Sequence, residues 1–478
     1  MALSKADALV AAREILSGPR VQEAERLRRI HDAMQPCRRS GEFIPTVQVP
    51  KDAPPLMKEL ARKSETNYLP LLVKTYRQVI KADGYYSESD PDSSEPWVWW
   101  QRNRMDSRQT GLVHDALTYG ASYATVLPGT YGRNQPGPSI SLYSPREMTA
   151  LYQDPNADEW PIMALCRDGN IVTLIDDEMI YRFGVEPKAL NRWYEPAATL
   201  EFGAGILTYL DAEAHELGVC PVVRYRDRNL LAGEESYGIV EPLLTINERI
   251  TETTFQAMVV QYTQAFMQRY VLGWVPESEQ QELKVGAARI WYFPGDKEEI
   301  EIGQLSAGTV DLKLREASIR DFAAQGQIPA QALGIDGISN ISDATLAGLE
   351  AAKNRESGEI QTSLGESHEQ LLRLCAYIDG NDAAADDYNS ELRWRDYEAR
   401  SFAQTVDGLV KLVQGGILAP EIVLEDVPGM TEQKLARAVA ALRKAEGSRV
   451  IDRLLAERTA VDSPVENVAA SADRNPAA

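Results

Sequence analysis

Side chains able to run catalysis or hold a metal are present in this sequence, but their spacing arranges them for neither task. The histidines, His31, His114, His215 and His368, are scattered, and no HExxH or HxH pair turns two imidazoles toward one ion. His31 and His114 are each followed by an aspartate. Adjacent residues on a helix point to different faces, so surface roles are expected in place of dyads. Cys37, Cys166, Cys220 and Cys375 lie far apart without a CxxC or Cys/His spacing, which suits reduced, buried or spectator thiols. Asp176, Asp177 and Glu178 have the composition of a cation site and also of a solvated hairpin turn, and the turn is the expectation. Neither a phosphate-cradling GxxxxGK[ST] loop nor a GxSxG elbow occurs. Trp97, Trp99 and Trp100 have faces on which bases stack, but bulky residues at an amphipathic helix start are expected in a core. The repeated Arg and Glu of residues 23–39 read as a solvated face. No catalytic constellation, metal or cofactor is expected.

Charge narrows the partners. Lys and Arg total 50 against 71 Asp and Glu, and a net charge of −21 opposes tight binding to nucleic acid, whose affinity comes largely from cationic phosphate contacts. Any DNA contact must be loose or confined. At 478 residues, 44% of them hydrophobic, the chain is long enough for two or three cores. Lys5, Asp7, Arg13 and Glu14 interrupt the apolar residues of the amino terminus, and no stretch approaches bilayer length. Neither secretion nor membrane insertion is expected.

The elements follow from periodicity. Residues 4–34 predict two short helices broken at Ser17, Gly18 and Pro19, and together they suit a mobile arm. Between Leu56 and Ile80, Leu60, Leu69, Leu72, Val73, Tyr76 and Val79 recur at three and four, a buried helix face with Pro70 near a helix start. Residues 97–120 predict a third helix carrying Trp100, Met105, Leu112, Ala116 and Tyr119 on one face and stopping at Gly120. The period then changes to two. SYATVLPG, SISLYSP and PIMALCRDGNIVTLIDDEMIYRFGV read as an antiparallel meander with turns at Asp168–Gly169 and Asp176–Asp177, and ILTYL and CPVVRYRDR add strands. Residues 1–230 thus predict an α+β domain.

From Leu243 to Leu272 there is neither glycine nor proline, and Ile239, Leu243, Ile246, Ile250, Thr254, Ala257 and Val260 make one stripe. A helix of about thirty residues would reach roughly 45 Å. A compact mixed insertion follows, with strand-like runs at 289–293 and 299–302, and residues 311–325 are again helical. Ser342 can cap a helix running toward Tyr377, lined by Leu346, Leu349, Ile360, Leu364, Leu371, Leu374 and Ile378, with Gly348, Gly358 and Gly365 permitting bending or close neighbours. Residues 380–390 read as an Asp/Ala-rich linker, and 398–457 as a helical unit broken at Gly415–Gly416 and Pro428–Gly429. Residues 458–478 have nothing to bury and are expected to be disordered.

Between two of these helices lies the loop Gly334, Ile335, Asp336, Gly337, Ile338, Ser339, Asn340 and Ile341, with no Lys or Arg from Arg320 to Lys353. Composition alone favours a connector whose isoleucines pack on the domain.

The order of parts resembles a tailed-phage portal protein. NYLPLLVKTYRQVIKADGY, WWQRNRMDSRQTGLVHDALTYGASYATVLPG and IPAQALGIDGISNISDATLAGLEAAKNRE are similar to stretches of portals from long-tailed phages of actinobacteria, and the likeness runs over roughly residues 25–455. It implies an α+β fold of portal architecture with a mixed α/β wing, a long helical stem, a small α/β clip and a helical crown. After an amino-terminal arm (1–24), the wing would be 25–235, the first stem helix 236–268, the clip 269–305 and the second stem helix 306–326. The connector and tunnel loop would be 327–341, the bent long helix with its return to the wing 342–397, and the crown 398–457. It also implies a ring of about twelve copies at one capsid vertex of the virion, assembled in the host cytoplasm. Through the ring the terminase large subunit drives double-stranded DNA without sequence specificity. A head-completion adaptor attaches to it, and major capsid and scaffolding proteins surround it. The resemblance implies that the genome would be packaged, retained and ejected by this route. On this reading residues 334–341 face the channel, and Ile239, Leu243, Ile246, Ile250, Ala257 and Val260 pack the stem. Trp274, Trp291, Tyr292 and Phe293 are clip contacts. The alternative is another virion structural protein, an adaptor or minor capsid protein without a channel. A portal requires the 311–325 helix folded back beside its long partner, with the insertion at the tip.

Overall fold

The computed structural model describes residues 2–35, 46–87, 95–131, 134–186, 193, 206–229, 231, 236–265, 269–272, 301–304, 312–335, 343–395, 402–424, 427, 430, 434–435 and 437–444. The chain divides into two compact units, residues 1–395 and 396–478.

The first unit opens with α1 (Lys5–Ser17), capped by Ser4, whose hydroxyl accepts from the Asp7 amide, and α2 (Pro19–Met34). The expected break at Gly18 is there, but the pair is no mobile arm. Ala8, Ala12, Ile15 and Leu16, on one face at helical spacing, are buried against Leu165, Val172, Leu174 and Phe183 of a sheet. Ahead of the 23–39 run, Arg20 is buried and donates to the carbonyls of Pro145 and Arg146, and within the run Arg26 makes a half-buried pair with Glu241 at 2.7 Å.

Next come α3 (Pro55–Ser64) and α4 (Leu69–Val79), with Pro70 in the first turn of α4, where its missing N–H is not needed. Strand β1 (Ala82–Tyr86) follows. The single helix expected over 97–120 is two, α5 (Glu95–Arg102) and α6 (Met105–Tyr119), because Arg104 takes a left-handed conformation (φ 57°). Gly120 ends α6 in the same region (φ 88°), as its type allows.

The strands occur where the period of two predicts them but divide into two sheets. β2 (Ser122–Tyr131) lies between β3 (Gln135–Tyr143) and β9 (Val222–Tyr225) in one. β4 (Met148–Leu151), β5 (Met163–Asp168), β6 (Ile171–Ile175), β7 (Met179–Val185) and β8 (Leu207–Ala214) run in chain order in the other, all antiparallel. Gly169 makes the β5–β6 turn at φ 58°.

A one-turn 3-10 helix at Glu241–Leu243 leads into α7 (Leu244–Ala265). At 22 residues α7 is shorter than the expected run to Leu272, because Arg269–Leu272 is already strand β10, antiparallel to β11 (Glu301–Gln304). The chain returns as α8 (Leu312–Gln325), a 3-10 turn at Ala330–Leu333, and α9 (Asp343–Asp379), 37 residues long. α9 buries Ile360, Leu364, Leu371 and Leu374 in the main core with Leu72, Tyr76, Trp100 and Leu112. Residues 380–390 are not a loose linker. They contain α10 (Asp382–Ala385), and the buried Asp387 carboxylate accepts from Ser87 Oγ at 2.6 Å, which brings β12 (Glu391–Trp394) into antiparallel register with β1.

The second unit contains α11 (Phe402–Gln414), a turn with Gly416 at φ 66°, and α12 (Pro420–Val423). Residues 437–444 are helical. The Pro428–Gly429 break and the tail 458–478 lie outside the described residues. Among the described residues no helix is long and apolar enough to cross a membrane.

Candidate functional site

The α7/α8 pair is built outward from the main core. At its base Leu243 and Ile250 are buried with Ile319 and Phe322 of α8 and with Leu69 and Leu72 of α4. The Tyr68 amide donates to Asn247 Oδ1 at 3.0 Å, Thr251 Oγ1 donates to the Thr66 carbonyl at 3.1 Å, and the Tyr68 and Phe322 rings lie 5.9 Å apart. Farther along, Arg249 meets Asp321 at 2.6 Å and Arg315 Nε donates to Thr254 Oγ1 at 3.0 Å. The partner residue numbers fall as those on α7 rise, so α8 runs back antiparallel beside α7. β10 and β11 pair where the two helices are joined.

The stripe read from the sequence therefore has two fates. Ile239, Leu243, Ile250 and Ala257 are buried within this chain, and Ile246 is half-buried against the same core. A neighbouring subunit is not needed to cover them, because α3, α4 and α8 already do. Val260 is half-buried, and on α8 Leu314 is 57% exposed. Of the clip, Trp274, Trp291, Tyr292 and Phe293 lie outside the described residues.

The segment that leads from α8 to residue 335 is anchored to the core and to α9. Tyr76 donates its hydroxyl to the Gly326 carbonyl at 2.9 Å, Gln327 takes a left-handed φ of 49°, and its side-chain amide donates to Glu356 of α9 at 3.3 Å. Gly334 turns the chain at φ 81°, and this places Ile335 half-buried against the core. Asp336, Gly337, Ile338, Ser339, Asn340 and Ile341, with the capping candidate Ser342, lie outside the described residues.

Beside the loop sits a charge cluster that periodicity did not signal. Arg228 bridges Asp227 at 3.2 Å and Glu356 at 3.3 Å. Burial pushes the Asp227 carboxyl up to about 7 against the pull of Arg228. The sequence shows only alternating charge at RYRDR, which does not reveal which member turns inward.

The other candidates have structural places. His368 is fully buried, edge-on to Trp100 and Tyr225, with its Nδ1 3.0 Å from the Tyr225 hydroxyl, and desolvation pulls it down to about 3. His114 does touch its neighbour Asp115, at 3.0 Å, contrary to the helix-face expectation, as a half-buried pair. Asp176 is buried and not solvated, because its carboxylate accepts from the amides of Glu178 and Met179 and closes the turn. Trp97, Trp99 and Trp100 are all core residues. Cys166, Cys220 and Cys375 are buried and free, and burial raises all three thiol pKa values, whereas Cys37 lies outside the described residues. Among the described residues no group of three or more His, Cys, Asp or Glu is placed to hold a metal ion.

A mixed helix–sheet unit from which an antiparallel helix pair emerges with strands at its joined end defines the class of architecture. The family model for phage portal proteins of the SPP1 Gp6-like type matches residues 23–457, and the chain belongs to that family. Among solved structures it is similar to a chain of the virion of the native gene transfer agent (GTA) particle, at 14% identity and TM-score 0.46, covering 83% of this chain and 99% of that one. It is similar also to chains of the neck of the empty GTA particle computed with C6 symmetry (14% identity, TM-score 0.42, 82% and 97% covered) and of the native neck computed with C12 symmetry (13%, 0.43, 80% and 96%). No curated relative matches the chain by sequence.

Proposed function

We propose that this portal-family protein assembles into a closed ring of about twelve copies at one vertex of a capsid and serves there as the conduit for double-stranded DNA. The role is structural and not catalytic. The observation that carries it is the α7/α8 pair: two antiparallel helices rooted in a buried core, joined through paired strands, with Leu314 57% exposed on the return helix. Leu314 leaves an apolar position open on the outer side of the pair, and identical subunits related by rotation can cover it heterologously.

In this reading residues 236–268 and 306–326 are the stem, and 269–305 the clip that engages the terminase large subunit and later the head-completion adaptor. Residues 334–341 form the loop that touches DNA through shape and apolar surface, and major capsid and scaffolding proteins surround the wing. An acidic conduit suits the task, because a wall that gripped phosphates would stall the duplex. Single-particle imaging of the purified chain should give rings with an axial hole; particles without one would favour an adaptor or minor capsid role. Ile338→Lys adds one phosphate-seeking charge per subunit and is expected to leave rings intact while DNA packaging slows or stops. Unchanged packaging would return the loop to a connector.

A further inference from the structure

A cleft of about 320 Å³ lies between β9, the segment 152–159 and the middle of α9, and it gathers the guanidiniums of Arg224 and Arg226. Arg224 and Arg226 stand two residues apart, so their side chains leave the same side of the strand, while Tyr225 between them turns onto His368. α9 fixes this geometry: Ser367 Oγ donates to the Arg224 carbonyl at 3.0 Å and Ser363 Oγ to the Arg226 carbonyl at 2.9 Å. Both guanidiniums then converge on one neutral acceptor, the Pro155 carbonyl oxygen, 2.5 Å from Arg224 Nη2 and 2.7 Å from Arg226 Nη2. Among the described residues neither arginine lies within ion-pair distance of a carboxylate. Arg226 is only 9% exposed, and its Nε–H has no hydrogen-bond partner among the described residues. The Tyr152 hydroxyl in the same cleft is likewise buried and without a partner among the described residues, with the Arg224 guanidinium 3.9 Å above its ring. Burial first, and then the charge of Arg224, pull the Arg226 pKa down to about 10.

A buried guanidinium with a second, half-buried one beside it, and two donors unsatisfied among the described residues, is an unfavourable arrangement that an anion would relieve. We propose that this cleft binds an oxyanion, a carboxylate or a phosphate, between Arg224, Arg226 and the Tyr152 hydroxyl. The planar fork of each guanidinium matches either group. Asp158, Glu159 and Glu366 line the same cleft in a chain of net charge −21, which admits a single anionic group and opposes a long polyanion.

The test is calorimetric titration of the full chain with inorganic phosphate and, separately, glutarate at fixed ionic strength. Saturable binding of at least one is expected. Arg224→Gln and Arg226→Gln should each weaken it about tenfold or more, about 1.4 kcal/mol. Arg182→Gln, which removes a guanidinium paired elsewhere with Asp211 and Glu213, should leave it unchanged. Arg226→Lys keeps the charge without the fork and should also bind more weakly. Thermal melts establish that each variant folds, and Tyr152→Phe, which removes only a hydroxyl, carries the test if the arginine variants do not. Tighter phosphate binding identifies a phosphate ligand, and tighter glutarate binding an acidic side chain. Saturable heat from neither, or equal weakening by Arg182→Gln, overturns the proposal.

Discussion

At the scale of single residues, two buried ionisable groups give this protein opposite responses to pH. His368 titrates near 6.5 when free and is held down to about 3 by burial, so its neutral form favours the fold. That stabilisation is complete above pH 6.5 and is lost as pH falls toward 3. Asp227 is raised from 3.8 to about 7, so its contribution is complete below about pH 3.8 and is lost as pH rises toward 7. His368→Phe should destabilise the chain by about 1–3 kcal/mol at pH 7.5, because the Tyr225 hydroxyl loses its partner. The deficit should shrink at pH 4.5. For Asp227→Asn the reverse holds: relative to the variant, the wild type should melt lower at pH 7.5 than at pH 4.5. Thermal melts of all three proteins at both pH values measure these differences, and parallel curves would mean that neither group carries the linkage.

At the scale of elements, the helix pair depends on how its base is seated. Ile239 donates its amide to the Leu117 carbonyl at 2.9 Å, and Ser236 donates to the Gly120 carbonyl at 3.0 Å, so the approach to α7 lies directly on the end of α6. A Cβ on Gly238 would stand 2.3 Å from the Leu117 oxygen and 2.8 Å from the Gly120 nitrogen, both backbone atoms. Gly238→Ala is therefore expected to cost about 1–3 kcal/mol or more, read as a lowered melting temperature. The outer part of the pair calls for a different experiment. Ile250→Asp would bury a charge in the chain's own core and prevent folding, so it reports nothing on assembly. Leu314→Asp changes a 57% exposed position and should alter monomer stability by no more than about 0.5 kcal/mol while abolishing rings in light scattering. Intact rings from that variant would move the subunit seam off α8.

At the scale of the whole molecule, the boundary between the two units falls after a strand that belongs to the first. β12 closes on β1, and Asp387 holds Ser87, so both must stay in any shortened chain. A chain ending at Arg395 is expected to melt cooperatively within a few degrees of the first unit in the full protein. One ending at Gly380 leaves β1 unpaired and should be markedly less stable. Circular dichroism melts of the two truncations compare them directly, and equal stability would show that β12 contributes nothing to the unit.

Most of the elements and the family likeness are legible in the residues alone, because helical and strand periodicity are local properties, whereas the break at Arg104 and the early end of α7 are not. Ser17–Pro19, Pro70 and Gly120 mark boundaries for backbone reasons that need no neighbours. Only the tertiary structure decided which surfaces meet. Periodicity shows that α1 and α7 each have an apolar face without naming what covers it, and the structure supplies a sheet for one and α3, α4 and α8 for the other. Strand pattern likewise cannot show that β9 leaves its neighbours for β2, or that β12 crosses the sequence to β1, since pairing is a choice among distant segments with similar alternation. The Asp227–Arg228–Glu356 bridge and the Arg224–Arg226 cleft were illegible for the same reason. Charges alternating along RYRDR look solvated until α9 packs beside them, and the burial that sets their chemistry is a property of the assembled fold.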